Sequence, residues 1–333
     1  MDDWLSAAGP AILVTVAIVE GSGPRECGAH MLVDATRVVD TIGGGHLEQR
    51  AIETARAMLA DGRQRRIERY ALGPSLGQCC GGVVHLSFEL LDQAHAALLG
   101  RRRQDDSWRV VAIDGAPESA LFDGDGRWLA GARPPVFARD RGAYLMQEPD
   151  GRRWLVDPVF APRAHLVLFG AGHVGTAIVR ALAHLPCTVT WVDQRDDMFP
   201  PCVPANVTVE ASDVPEALVA AAPGNASYLV MTHSHALDQR LTEAIMARPD
   251  VGWFGLIGSK TKRRQFEHRL RARGVDAARI DTMVCPIGLA GITNKAPAVI
   301  AASVCAQLLT VWEAMQRTPP ALMLPSAAIT ERV

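Results

Sequence analysis

The stretch that decides the fold is His165-Leu166-Val167-Leu168-Phe169-Gly170-Ala171-Gly172-His173-Val174-Gly175. Its apolar opening reads as a buried strand, and a helix is expected from about 173 to 185. The glycines between them fit G-x-G-x-x-G. Gly170 permits a tight turn, Gly172 lets the backbone approach a pyrophosphate, and Gly175 lets the helix pack closely on the strand. The helix N-terminus, opening at His173, offers free N–H groups to an anion. Asp193 ends the next predicted strand, where a carboxylate would hold a ribose hydroxyl. Arg195, two residues on, could face a phosphate instead.

Outward from this motif, strands are expected at 188–192, 207–210, 228–231, 252–256 and 282–285. Helices lie between them, as at 238–247 and 260–273, and a final Ala- and Leu-rich helix at 298–315 should pack on the sheet. The βαβα order implies a parallel, doubly wound sheet. Residues 10–100 read differently. They give a strand at 11–20, a hairpin from 28–33 and 37–42, a helix at 46–59, and strands at 65–72 and 83–90. Short strands and hairpins follow at 105–160, with Asp-Gly turns and five prolines. The expected fold is α/β, with a C-terminal Rossmann-like doubly wound parallel sheet plus a smaller N-terminal mixed α/β domain. The expected domains are 1–162 and 163–318, with a tail at 319–333.

At roughly 150 residues per domain, 333 residues also suggest two domains. Apolar residues are 48% and charged residues 21%, which excludes a disordered chain. The 34 basic and 36 acidic residues nearly cancel, so no large positive field exists to hold nucleic acid or an anionic membrane. The early apolar run is too short to span a bilayer, and the acidic start does not read as a secretory signal. Seven scattered Cys argue for reduced thiols and a cytoplasmic location. Only three of the 34 basic residues are Lys: Lys260, Lys262 and Lys295, all beside Gly-rich turns. A compact ammonium suits a phosphate or a carbonyl differently from a forked guanidinium.

Three more segments follow predicted strands and should lie at the carboxyl edge of the parallel sheet, where ligands of this fold bind. Thr232-His233-Ser234-His235 offers two imidazoles for acid–base work, metal ligation or hydrogen bonding, with Asp238 as a cap for the next helix. Gly258-Ser259-Lys260 combines a cap, free amides and a cation. Lys262, Arg263 and Arg264 read more simply as a solvated basic face. Gly288 to Pro297, with Lys295, is a third Gly-rich turn before a helix. In the N-terminal half, Gly21-Ser22-Gly23-Pro24-Arg25 is a turn with one charge. Gly43-Gly44-Gly45 opens a helix and favours an anion. Gly77-Gln78-Cys79-Cys80-Gly81-Gly82 carries two adjacent thiols between strands. Such thiols can form a reducible disulfide, ligate a soft metal or carry sulfur as a persulfide. Cys27 is a secondary candidate; Cys187, Cys202, Cys285 and Cys305 read as structural.

Taken together and in this order, these segments resemble the xanthine dehydrogenase accessory protein family of the XdhC/CoxI type. The resemblance runs from about Val14 to Trp312. It rests on Gly21–Arg25 with Gly28-Ala29, Thr41–Glu48, Gly77–Gly82, Gly170–Gly175, Val192–Arg195, Thr232–His235, Gly255–Ser259 and Pro286–Leu289. The family pattern often has an acid where this chain has Ser234. The resemblance implies a chaperone, more than a turnover enzyme, for the molybdenum cofactor (molybdopterin). It would bind the cofactor, support its sulfuration, protect it and deliver it to apo xanthine dehydrogenase, in the service of purine metabolism. Implied partners are a cysteine desulfurase and molybdenum cofactor biosynthesis proteins, with no nucleic acid and no membrane; a homodimer is left open. Cys79 and Cys80 would be molybdenum or sulfur contacts. Arg25, Gly43, Gly44, Gly45, Gly81, Gly82, Gly170, Gly172, His173, Gly175, Asp193, Arg195, His233, His235, Ser259, Lys260 and Lys295 would hold the cofactor, or in part a dinucleotide. The competing readings are an NAD(P)-dependent oxidoreductase of unknown substrate, from Gly170–Gly175 and Asp193, and a sulfur carrier, from Cys79 and Cys80.

Overall fold

The computed structural model describes residues 3–6, 9–73, 81–133 and 135–317. The chain divides into two compact units that meet in sequence between Ala161 and Pro162. The first unit opens with a 3-10 turn (Asp3–Ser6), then β1 (Ile12–Glu20), β2 (His30–Val33), β3 (Val38–Asp40), α1 (Gly45–Asp61), β4 (Arg65–Ala71) and β5 (Val83–Leu90). It continues through α2 (Gln93–Arg101), β6 (Ser107–Ala112), β7 (Ser119–Asp123), β8 (Trp128–Gly131), β9 (Tyr144–Gln147) and β10 (Arg153–Val159). These strands form two antiparallel sheets, ordered β3-β2-β1-β5-β4 and β8-β7-β6-β10-β9.

Alternation along the strands decides what each face does, because successive side chains point to opposite sides. Ile12, Val14 and Val16 of β1 pack with Val84, Leu86 and Phe88 of β5 against Leu47, Ala51, Ala55 and Met58 of α1. The alternate residues Leu13 and Leu32 join Trp4, Leu121 and Val159, so the two sheets share a second layer. That shared layer also holds charge. Arg109 faces Asp157 across β6 and β10, and Arg65 faces Glu89 across β4 and β5. Arg109 Nη1 donates to Asp157 Oδ2 at 3.0 Å, and Nη2 donates to Glu89 Oε1 of the other sheet at 2.6 Å. His30 Nε2 lies 2.9 Å from the same Asp157 oxygen. An ionised carboxylate only accepts, so this nitrogen carries the hydrogen. Trp4 covers the group, its ring 5.1 Å from that of His30 and 5.0 Å from the Arg109 guanidinium carbon. Arg109, Glu89, Asp157 and His30 are all buried.

The second unit runs β11 (Ala164–Phe169), α3 (His173–Ala181), β12 (Cys187–Asp193), β13 (Val207–Ala211), α4 (Glu216–Ala221), β14 (Ser227–Val230) and α5 (His235–Ala247). It ends with β15 (Trp253–Leu256), α6 (Lys260–Ala272), α7 (Ala277–Asp281), β16 (Met283–Val284) and α8 (Pro297–Arg317). Its parallel sheet is ordered β13-β12-β11-β14-β15-β16, the doubly wound order 3-2-1-4-5-6. Ile178 and Val179 of α3 pack with Ala301, Val304, Leu308 and Trp312 of α8 on one core layer. Leu237, Leu241 and Ile245 of α5 and Phe266 and Leu270 of α6 pack on the other. Residues Pro297–Met315 of α8 are long and apolar enough to cross a membrane by length and composition. Its buried residues nevertheless follow the three-and-four spacing of a core helix, and Trp312 Nε1 donates to Ser227 Oγ at 3.0 Å.

The α/β expectation holds. The helix expected to reach 185 stops at Ala181; α2 and α7 were not anticipated, and α4 lies between two strands where a helix was expected without bounds. Each has nine residues or fewer, too short for a clear helical period.

Arg109→Met should destabilise the first unit by about 3–5 kcal/mol, because it leaves two buried carboxylates short of a partner. Arg50→Ala, at an exposed pair, should stay within about 0.5 kcal/mol. Urea denaturation distinguishes them. Burial opposes ionisation of Asp157, but the charges of His30 and Arg109 and the His30 hydrogen bond outweigh it and hold its pKa below the ordinary value. Its stabilising contribution is therefore present above the unfolded carboxylate pKa, about 3.9, and lost as pH falls through the lower folded value. Asp157→Asn should flatten the acid limb of stability against pH.

Candidate functional site

In the first unit the structure brings three glycine motifs together. A Cβ on Gly82 would lie 2.3 Å from the Ser22 carbonyl oxygen and 2.6 Å from that of Glu20. A Cβ on Gly43 would lie 2.5 Å from Pro24 Cβ. The turn at 21–25 is thus clasped between the glycine run and the exit of the Cys-containing loop. Arg25 Nη1 donates to the Thr41 carbonyl at 3.1 Å, closing the same contact. Cys79 and Cys80 lie outside the described residues; Gly81 and Gly82 follow them directly. Cys27, half-buried and with a free thiol, sits two residues beyond Arg25.

The glycine run has a conformational reason. Gly43, Gly44 and Gly45 have φ of 120°, 74° and 66°, a region that favours glycine. The expected anion at the α1 N-terminus is supplied from within. Glu48 Oε2 accepts from the Ile42 and Gly44 amides at 3.1 and 3.0 Å and from the Thr41 hydroxyl. This corrects the expectation that the helix end stands open to a ligand. Beside it lies a cavity of about 260 Å³, lined by Arg25, Glu26, Gly28, His30, Asp40 and Thr41 among others. Glu26 binds Arg25 through both carboxylate oxygens. That hydrogen bond, ahead of all other causes, holds the Glu26 pKa below its usual value.

In the second unit the motifs fall at the carboxyl edge of the sheet, as expected. A Cβ on Gly175 would lie 2.2 Å from the Gly170 carbonyl oxygen, which also accepts from Trp191 Nε1 at 3.1 Å. Gly172 is the N-cap of α3, and nothing lies within 4 Å of its Cβ position. His173 is exposed. Asp193 is already engaged. Its carboxylate accepts from the Ala171 amide at 2.7 Å and from Arg195 Nε and Nη2 at 2.9 and 3.0 Å. Burial opposes its ionisation, but the Arg195 and Ala171 hydrogen bonds prevail and lower its pKa. A small cavity brings Asp193 together with Thr232 and His233, but its volume is about 10 Å³. That is roughly one water, not a nucleotide base. Asp193 is therefore not poised for a ribose as the fingerprint implied.

The other edge residues sort by burial. Ser234, not Asp238, caps α5, accepting from the Leu237 amide at 3.3 Å. Asp238 is buried and accepts from the Thr232 hydroxyl at 2.7 Å and from Lys262 Nζ at 2.6 Å. Lys262 also donates to the Ile257 carbonyl at 2.8 Å. The expectation of a solvated Lys262 fails. It ties the Thr232 loop to the loop after β15, and Gly258 leaves room for its stem, since a Cβ there would meet Lys262 Cδ at 2.6 Å. Ser259 caps α6 as expected. His233, His235, Lys260 and Lys295 are exposed. Cys187 and Cys305 are buried and their thiols pushed up to about 11, mainly by burial, as suits structural residues. Cys202 departs from that reading and is exposed. Among the described residues no group of three His, Cys, Asp or Glu is placed to hold a metal.

Sequence reading missed His30, Asp157, Arg109, Glu89, Asp40 and Glu48. The signal for the first four was a charge on the inward phase of an apolar strand, as in Trp108-Arg109-Val110-Val111 and Leu155-Val156-Asp157.

Strand order and fingerprint define the second unit as a Rossmann domain. Two family models, together matching more than half of the chain, carry this further: the XdhC and CoxI family over residues 4–71, and the XdhC Rossmann domain over 166–308. The chain belongs to the XdhC family. It is 30% identical over 214 residues to Uncharacterized protein YqeB of Escherichia coli (strain K12). That match covers 63% of this chain and 39% of the relative, so the chain spans about two-fifths of that relative's length. A crystal structure described as a xanthine dehydrogenase from Bacillus halodurans has a TM-score of 0.74 at 20% identity, over 97% of this chain and 96% of that one. This second likeness shows the fold alone.

Lys262→Met should destabilise the second unit by about 3–5 kcal/mol, by stranding the buried Asp238 carboxylate. Lys260→Ala, on an exposed residue, should leave the melting temperature within a degree or so. Calorimetry on the intact chain reads both.

Proposed function

We propose that this protein is a maturation factor for a xanthine dehydrogenase. It binds the molybdenum cofactor as cargo, holds it while a cysteine desulfurase supplies the sulfur of its terminal sulfido ligand, and passes it to the apoenzyme. Family membership supports the general role. The observation that carries the finer reading is the clasp around residues 21–25. Gly82 against Ser22 and Gly43 against Pro24 fix the exit of the Cys79-Cys80 loop beside a polar cavity. Two thiols suit a soft metal or sulfur, and Arg25 and the amides nearby suit the polar parts of a pterin.

In this reading the chain's own residues orient, shield and release rather than turn over. Arg25 positions the cargo, and Cys79 or Cys80 contacts the metal or carries the sulfur. In the Rossmann unit, Gly172 and the α3 N-terminus are the remaining open anion site. His233, His235, Ser259, Lys260 and Lys295 line the same sheet edge or its exposed loops. A dinucleotide is the second reading for that unit, and the open face of Gly172 favours it.

Purified protein incubated anaerobically with molybdenum cofactor should keep pterin through gel filtration. Cys79→Ala or Cys80→Ala should lose it while melting normally. Wild type without pterin, but with NAD(H) or NADP(H) bound, would replace the chaperone by the oxidoreductase.

A further inference from the structure

We infer that the exposed side of α6, with the loop that follows β16, docks an acidic protein segment carrying an aliphatic anchor. The inference stands apart from the cofactor reading and concerns the second unit only.

The sequence of α6 sets Lys260, Arg264, His268 and Arg271 three or four residues apart, so they share one side of the helix. All four are exposed, while Phe266 and Leu270 of the same helix are buried in the core. This grouping is costly for the chain alone. Like charges four apart on a helix repel, as Lys260 and Arg264 do. A helix N-terminus disfavours cations, and the first turn of α6 holds no acid to offset Lys260. Glu267 is the one acid of α6, and it is divided between Arg263 at 2.7 Å and Arg271 at 3.5 Å. Among the described residues no carboxylate pairs with Lys260, Arg264 or His268. Elsewhere the chain does supply an acid, as Glu26 to Arg25 and Asp193 to Arg195. The α6 charge is left for an outside partner.

A second observation supplies the anchor point. Leu289 and Ile292 are 41% and 48% exposed. Their loop is held from behind by α8. The Gly288 amide donates to Gln307 Oε1 at 2.9 Å, and the Leu289 amide donates to Ser303 Oγ at 2.7 Å. Gly288 has φ 93°, and a Cβ there would meet Ser303 Oγ at 2.6 Å. The two aliphatic side chains thus stand on a fixed backbone, which lowers the ordering cost of binding. Arg263 Nη1 donates to the Cys285 carbonyl at 3.3 Å, so the start of α6 lies against the strand end from which this loop departs. Apolar side chains with a charged rim beside them are the anatomy of a protein interface.

Spacing favours an extended acidic segment. Two residues of a strand advance about 6.6 Å, close to the roughly 6 Å spanned by four residues of a helix. Carboxylates at alternate positions therefore keep step with Lys260, Arg264 and His268, and a guanidinium can meet a carboxylate through two parallel hydrogen bonds. A nucleic acid has no use for Leu289 and Ile292, and a chain of net charge -2 holds its backbone poorly. A membrane would need the apolar side of α6, which the core already takes.

The test is fluorescence anisotropy of the full chain with a labelled peptide of alternating glutamate and serine that ends in a Leu-Leu pair. Wild type should bind it, more weakly as salt rises. Glutamine for glutamate, or serine for the Leu pair, should each weaken binding about tenfold or more. Arg264→Glu and Ile292→Ser should do the same with unchanged melting curves, and Arg50→Ala, on the other unit, should leave binding as it was. No binding by wild type, equal binding of the glutamine peptide, or unaltered affinity in Arg264→Glu or Ile292→Ser overturns the inference. Tighter binding of duplex DNA or of phosphatidylserine vesicles, lost in Arg264→Glu, overturns it in favour of that class of partner. A wild type that keeps molybdenum cofactor on gel filtration but ignores the peptide rejects this docking surface and leaves the cofactor reading standing. The reverse result rejects the cofactor reading and keeps the surface.

Discussion

The guanidinium of Arg109 is the constraint on which the first unit depends. It rises from the second sheet and reaches carboxylates on both: Asp157 beside it and Glu89 opposite. Both acids are buried, so neither has water as an alternative partner. A lysine could not replace it, because one ammonium lacks the planar fork that meets two acceptors in fixed directions. Strand register is fixed by the same contacts. A slip of one residue in β10 would carry Asp157 to the opposite face and put Val156 or Pro158 in its place. Through Asp157 the constraint extends to His30, and His30 is a wall of the cavity. The buried charge therefore does not merely join two sheets. It also fixes the His30 imidazole, which lines the cavity.

A second theme is that acids of the chain sit where an incoming anion would be expected. Glu48 fills the glycine run, Glu26 engages Arg25, and Asp193 takes both the Ala171 amide and Arg195. Each is a local solution to a local problem. Helix starts and glycine turns leave amides without partners, and a nearby carboxylate meets them. The consequence for function is direct. Affinity for a phosphate at these places is a difference between the ligand's contacts and the internal contacts it displaces. A sequence reader counts the amides and the cations but not their internal partners. Anion sites read from glycine motifs are overestimated for this reason.

The legible parts of the structure share a feature: their signal is local. The strand–turn–helix at 165–181 combines an apolar run, fixed glycine spacing and a helix start, all within one short window. The hairpin of β2 and β3 and the helix α1 were readable for the same reason. What could not be read depends on pairing at a distance. His30 and Asp157 are separated by 127 positions, and Lys262 and Asp238 by 24. Lys262 was misread because its neighbours Arg263 and Arg264 suggest a uniform basic face. On a helix that starts at Lys260, the stem of Lys262 folds back over Gly258 toward Asp238 instead. The Arg-for-Lys skew did carry information there. A slot shared between one carboxylate and one carbonyl suits a compact ammonium, and it holds one of only three lysines in the chain.

The glycine fingerprint can be divided on physical grounds. Gly170 and Gly175 are demanded by the chain itself. A Cβ on Gly170 would meet the Met231 carbonyl oxygen at 2.5 Å, and a Cβ on Gly175 would meet the Gly170 carbonyl oxygen at 2.2 Å. Gly170 lets the end of β11 pass the residue after β14, and Gly175 lets α3 pack on the end of β11, whether or not a nucleotide ever bound. Gly172 is different. No atom of the chain crowds its Cβ position, and it caps α3 without a side-chain hydrogen bond. An Asp, Asn, Ser or Thr there would meet the open amides of the helix and stabilise it, though by only a few tenths of a kcal/mol over glycine. A glycine at that position forgoes the cap and leaves the amides accessible. The fingerprint as a whole therefore argues for a fold, with Gly172 the one of its three glycines that the packing of the chain does not require.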